Sequence, residues 1–390
     1  MPVFTFIPGR KNMINFASAI LKPLHWNEEV QRGRERYNQG SVVCVSCIFL
    51  HVFIYIHHRC CNNPMTYNGK TEKKKKLSKQ NATMKLRKPV LEKLTKRQIT
   101  KIVYPITLED AIASFHKLKE IDCSNINTLD KSGVDFVNYF TATERLNTNG
   151  RLNFSFFDAY YNFNEYYNNK RFFRNGVNNT FKGKFLTEPD IKEKIKMLKN
   201  LFTMYFGNIG MFRPILVKHL ICKYRPKRML DFTMGWGGRL VGACSENMDA
   251  YIGVDLNTNL EPLYKKMVKT LKSLSTTKIQ LFFKSAVEVD YSKLNYDFVM
   301  TSPPYYNIEI YRKNSIISKQ EWENNFYIPV FTETYKYLKK GGHYCINVNE
   351  AIYEDVCVKV LGECDEKIPL GRQQRGKKDT YSEYIYIWHK

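Results

Sequence analysis

Between Arg228 and Trp388, short apolar runs alternate with stretches of helical periodicity: Arg228–Phe232, Tyr251–Val254, Ile279–Phe283, Tyr296–Met300, His343–Val348, Val356–Leu361 and Tyr384–Trp388. Strands separated by helices cannot pair as hairpins, so this alternation predicts an α/β fold with a mainly parallel sheet covered on both faces. Leu338-Lys-Lys-Gly-Gly342 reads as a helix end and a glycine turn into the next strand.

Two of the runs end in motifs. Met229-Leu-Asp-Phe-Thr-Met-Gly-Trp-Gly-Gly-Arg-Leu240 reads as a strand, a glycine loop and a helix start. Gly235, Gly237 and Gly238 allow close backbone approach, and the helix start offers N–H groups and a positive dipole end. Asp231, at the strand end, suits a cationic amino-acid moiety, and Asp255, ending Tyr251-Ile-Gly-Val-Asp255, is placed to accept from ribose hydroxyls. The second motif, Thr301-Ser-Pro-Pro-Tyr-Tyr306, follows an apolar run. Proline fixes φ and lacks an N–H, so Ser302-Pro303-Pro304 forms a stiff ledge of carbonyls with the flat Tyr305 ring beside it. Such a ledge suits a planar base whose amino nitrogen must react. The Ser302 hydroxyl and the Pro303 carbonyl would grip its two hydrogens, and Tyr305 would stack on the ring.

The glycine loop, Asp255 and Thr301-Ser-Pro-Pro-Tyr305 together resemble the S-adenosylmethionine-dependent amino-methyltransferases of DNA that act on N4 of cytosine or N6 of adenine; the resemblance covers Phe206–Lys390. It implies a Rossmann-like seven-stranded methyltransferase sheet, with S-adenosylmethionine across the ends of the first strands and the ledge after the fourth. By position, Asp231, Phe232, Gly235 and Gly237 would hold the cofactor, with Asp255 on its ribose. Ser302, Pro303, Pro304 and Tyr305 would hold a flipped base, and serine at position 302 favours cytosine N4 over adenine N6. The chain departs from the family where Phe232 replaces a proline and where Ser285 stands in place of an acidic residue near the adenine. The resemblance calls for no metal. Relatives acting on RNA or on a protein glutamine share a Pro-Pro-Tyr ledge, and an inactive nucleic-acid-binding subunit is a further alternative.

Residues 84–200 read as an N-terminal accessory region for nucleic-acid recognition and 201–390 as the catalytic domain. Helices are expected around Leu91–Ile102, Leu108–Leu118, Glu188–Leu201 and Phe212–Tyr224. Rings from Phe154 to Phe173 are interleaved with Lys170, Arg171 and Arg174, as stacking on nucleic acid would require; the alternative is that they pack internally. Arg372 and Arg375, in a basic loop, are further candidates for phosphate contact.

Lys and Arg outnumber Asp and Glu by 61 to 37, a net charge of +24, which favours a polyanionic partner, DNA first and RNA second. Residues 1–83 read as a helical or irregular extension, with an apolar stretch at 41–56 and a Lys-rich linker at 70–83. The apolar stretch is shorter than a bilayer span, so no membrane anchor is expected. The ten cysteines are scattered, and Cys222, Cys345 and Cys357 lie in apolar surroundings, a pattern of reduced thiols and an intracellular location, cytoplasmic or nuclear. Cys44, Cys47, Cys60 and Cys61 fit no standard zinc spacing.

Overall fold

β1 (Arg228–Asp231) lies inside the sheet, with strands added on both sides of it. The structure, a computed structural model, describes residues 85–86, 88–150, 152–207, 209–306, 318–370 and 383–390. β2 (Ala250–Val254), β3 (Lys278–Phe282), β4 (Phe298–Thr301), β5 (His343–Val348), β6 (Glu366–Pro369) and β7 (Tyr384–His389) complete seven strands in the order β3-β2-β1-β4-β5-β7-β6. The first five are parallel, while β7 runs antiparallel to both β5 and β6. This is a seven-stranded Rossmann-like sheet, as expected. Strand order reverses at β1, which has β2 on one side and β4 on the other, so the carboxyl ends of these strands frame a crevice.

Alternate residues of each strand serve opposite faces. Met229, Tyr251, Phe298 and Cys345 enter one core, and Leu230, Ile252, Val299 and Ile346 the other. Helices α1 (Lys96–Val103), α2 (Leu108–Glu120) and α3 (Val134–Asn147) precede the sheet. Thr107 and Asp110 cap α2 reciprocally, and its Phe115 and Leu118 reach the first core. There they join α8 (Pro214–Tyr224), α9 (Gly238–Ser245) and α10 (Glu261–Leu271). The opposite face is covered by α11 (Ile328–Lys336) and the turns around it.

A third core mixes aromatic rings with aliphatic side chains, mainly on α4 (Phe156–Tyr161), α5 (Phe163–Asn169), α6 (Arg171–Phe181) and α7 (Ile191–Leu201). Phe154, Phe156, Phe157, Tyr160, Phe163, Tyr167 and Phe173 are at most 5% exposed, so they are packing side chains and present no stacking face. Tyr161 and Phe172 stay about half exposed. Lys170 lies over the Tyr166 ring, Arg174 donates to the Asn168 carbonyl, and Arg171 is exposed.

Two further expectations are corrected. Val356–Leu361 is helical, buried by Val356 and Cys357 beneath the sheet, and the sixth strand is Glu366–Pro369 at the edge. Cys222 is bonded to Cys123, tying α8 to the end of α2, whereas Cys244, Cys345, Cys357 and Cys364 are free. Among the described residues no helix is long and apolar enough to cross a membrane. Residues 1–83, Arg372 and Arg375 lie outside the described residues.

Candidate active site

The loop leaving β1 is held from three sides. Met234 N donates to the Val254 carbonyl (2.8 Å), Gly235 N donates to Asp255 Oδ2 (2.8 Å), and the Tyr264 hydroxyl lies 3.0 Å from the Gly235 carbonyl. Gly235 and Gly237 adopt φ of +54° and +87°, which side chains disfavour. A Cβ on Gly238 would stand 1.9 Å from the Phe212 carbonyl oxygen, so glycine is required for the chain before α8 to pass this close. Asp255 accepts from Asn257 N on its other oxygen (2.8 Å). Burial holds its carboxyl above the ordinary value, with the two N–H bonds pulling the opposite way.

Asp231 has a different place from the one its motif suggested. It is fully buried, and its oxygens accept from Arg239 Nε (2.8 Å), the Tyr251 hydroxyl (2.7 Å) and the Thr301 hydroxyl (3.0 Å). Each of its oxygens therefore already has a partner behind the loop, and none is presented to a ligand. The buried pair ties β1, β2, β4 and α9 together, and burial beside this carboxylate pushes the Tyr251 phenol well above its ordinary value. Gly237 likewise faces inward, toward Met267 and Tyr264, and forms the cap of α9.

After β4, the ledge is pinned by one hydroxyl. Tyr327 donates to the Pro304 carbonyl (2.5 Å) and accepts from Tyr306 N (3.0 Å), with Tyr306 at φ +48°. The Ser302 hydroxyl donates to Asn347 Oδ1 (3.0 Å) on β5. The Tyr305 hydroxyl lies 3.0 Å from the same oxygen and 2.7 Å from Glu383 Oε1, just before β7. Asn347 Nδ2 donates to the Tyr384 carbonyl (3.0 Å), which fixes the orientation of the amide.

Loop and ledge open onto one cavity of about 730 Å³. Phe232, Gly235, Asp255 and Ser285 line one part of it, and Ser302, Pro304 and Tyr305 another. Pro303 is buried and is not among the residues that line the cavity. Lys170, Arg171 and Arg174 are not part of the wall either. Asn347, Glu383 and Arg213 do line it, and sequence patterns did not single them out. One signal was present for Asn347: it is a buried polar residue within the apolar part of β5.

The residues present fit S-adenosylmethionine. Asp255 would offer a carboxylate to ribose hydroxyls, Arg213 places a guanidinium on the same wall, and the volume is that of a small-molecule site.

No family model matches the chain, and no curated protein does. Solved structures with a similar fold include a type I restriction-modification methyltransferase subunit from Streptococcus thermophilus, at 16% identity over 76% of this chain and 78% of that one, with TM-score 0.34. TrmN from Thermus thermophilus is 16% identical over 47% of this chain, TM-score 0.33, and the chain spans 50% of its length. An rRNA methylase from Streptococcus thermophilus is 13% identical over 46% of this chain and 98% of its own, TM-score 0.32.

Proposed function

We propose that this protein transfers a methyl group from S-adenosylmethionine to an exocyclic amino nitrogen of a flipped base in DNA, with N4 of cytosine ahead of N6 of adenine. The observation that carries this reading is that Asp255 and Ser302, from the two motifs, line one continuous cavity. The excess of basic residues supports a polyanionic substrate.

When bound, S-adenosylmethionine would supply an electrophilic methyl on a sulfonium. The chain supplies orientation. Asp255 and the loop around Gly235 would hold the ribose, and Arg213 the carboxylate. The ledge would hold the base: Tyr305 presents a ring for stacking, and the Ser302 hydroxyl, its hydrogen donated to Asn347, offers lone pairs to an amino hydrogen. Gripping that hydrogen keeps the nitrogen lone pair turned toward the cofactor, and positioning of this kind supplies much of the rate of an in-line displacement. A base within a duplex has to leave the stack to enter.

Two measurements test the reading. Calorimetry with S-adenosylmethionine should show saturable one-to-one binding. DNA and RNA from cells lacking methylation and expressing the full chain should show a modified amino base in DNA. Modification in RNA alone would change the polymer, and no cofactor binding would overturn the assignment.

A further inference from the structure

The amino group of a base carries two hydrogens, and a ledge that grips both needs two acceptors. Ser302 provides one. Pro303 is not among the residues that line the cavity, and the Pro304 carbonyl is occupied by the Tyr327 hydroxyl at 2.5 Å. The ledge alone is therefore one acceptor short.

Following the hydrogens along the wall shows where the second one lies. The Ser302 hydroxyl hydrogen goes to Asn347 Oδ1, whose amide is held in that orientation by Nδ2 on the Tyr384 carbonyl. Tyr305 has a single hydroxyl hydrogen and, among the described residues, three acceptors within reach: the Asn347 carbonyl at 3.5 Å, Asn347 Oδ1 at 3.0 Å and Glu383 Oε1 at 2.7 Å. The carboxylate is the nearest and carries charge, so it takes the hydrogen. Glu383 Oε1 is thus fixed by Tyr305, while Oε2 has no partner among the described residues, and the residue lines the cavity with Ser302 and Tyr305. Asp255, the other carboxylate of the wall, is on the glycine-loop side and holds Gly235 N and Asn257 N. The root of the hairpin, where Leu370 N donates to the Glu383 carbonyl at 2.8 Å, sets the position of this side chain.

We infer that Glu383 is the second acceptor of the target amino group and a catalytic carboxylate: its Oε2 accepts one amino hydrogen, selects an amino-bearing base over its oxo counterpart, and receives the proton that the nitrogen must lose. The inference rests on the reading of this cavity as an amino-methylation site. A nitrogen that takes the methyl with its lone pair would become cationic, as the C–S bond of the sulfonium breaks and leaves its electron pair on sulfur. One N–H bond then breaks, its electron pair stays on nitrogen, an O–H bond forms on Glu383, and the acid passes its proton to water. A carboxylate repels a carbonyl oxygen placed where the amino group should be, so the same atom discriminates before any chemistry occurs.

The test uses the full chain and the DNA site identified by sequencing. Without cofactor, wild-type protein should bind a duplex with the target amino base roughly tenfold or more tightly than one with the oxo counterpart, uracil for cytosine or hypoxanthine for adenine. Glu383→Gln, which can also donate a hydrogen bond, should bring the two affinities within about threefold of each other. It should lower turnover about 100-fold while leaving the S-adenosylmethionine dissociation constant within about threefold. If Glu383→Gln does not fold, Glu383→Ala is judged by the same preference. Absence of a preference in the wild type, or its persistence in the variant, overturns the inference. A wild-type chain that methylates no base overturns the function as well, whereas normal turnover in Glu383→Gln overturns only the role of Glu383.

Discussion

Ser302 and Asn347 are 45 residues apart in sequence, yet the hydroxyl of one lies 3.0 Å from the amide oxygen of the other. The parallel pairing of β4 with β5, in register from Phe298 with His343 to Thr301 with Ile346, brings them together. Asn347→Leu would leave the Ser302 and Tyr305 hydroxyls without this acceptor. Turnover should fall about tenfold to 100-fold, and stability by about 1–3 kcal/mol, with cofactor affinity unchanged. Steady-state kinetics, denaturant unfolding and calorimetry on one preparation separate these effects.

Ser302→Ala removes the lone pairs offered to the base and nothing on the cofactor side. Turnover should drop about 100-fold while the S-adenosylmethionine dissociation constant stays within about twofold. A large loss of cofactor affinity would contradict the assigned role.

Asp255→Asn should weaken cofactor binding about tenfold or more, because it removes the charged acceptor and disturbs the bonds to Gly235 and Asn257. Since burial raises the Asp255 value, the carboxylate takes up a proton at a pH above that of an exposed aspartate. Cofactor affinity should therefore start to fall at that higher pH. For the unliganded protein the sign is opposite: Asp255 adds stability below its unfolded value, and this is lost as pH rises through the folded one. Calorimetric titrations across pH on wild type and Asp255→Asn check both.

Gly238→Ala would place a methyl group 1.9 Å from the Phe212 carbonyl oxygen, which is backbone and cannot rotate away. The loop or the chain before α8 must shift, and a loss of roughly 2 kcal/mol or more is expected, with weaker cofactor binding. Thermal unfolding with and without S-adenosylmethionine measures it.

Cys123 and Cys222 are 99 residues apart, so their bond closes a long loop. Cys222→Ser should lower stability by about 2–4 kcal/mol and leave turnover per folded molecule unchanged, since neither cysteine lines the cavity. A reductant should reproduce the shift in wild type only.

Strands were readable where apolar runs were short and bounded, and His343–Val348 kept its limits. Val356–Leu361 had the same texture but folds as helix, because a short buried run has no period to distinguish the two states. Glu366–Pro369 escaped notice as an edge strand half polar in sequence. In the site, Gly235, Asp255, Ser302 and Tyr305 announced themselves through local motifs. Asn347 and Glu383 did not, because Asn347 reaches the ledge through the pairing of β4 with β5 and Glu383 through the antiparallel return of β7 beside β5. The buried engagement of Asp231 was not legible, because its partner Arg239 lies across the loop at the start of α9 and a buried ion pair leaves no local signature.

The close passage of the Phe212 carbonyl over Gly238 also bears on how this protein can be divided. Residues 210–213 form part of the cavity wall while leading into α8, whose apolar face is shared with α2 and α3. The helical part and the sheet thus meet within the binding site, so a graft or excision cutting between them would leave the cradle open on one side. Recombination with another recognition module would have to preserve that wall as a unit.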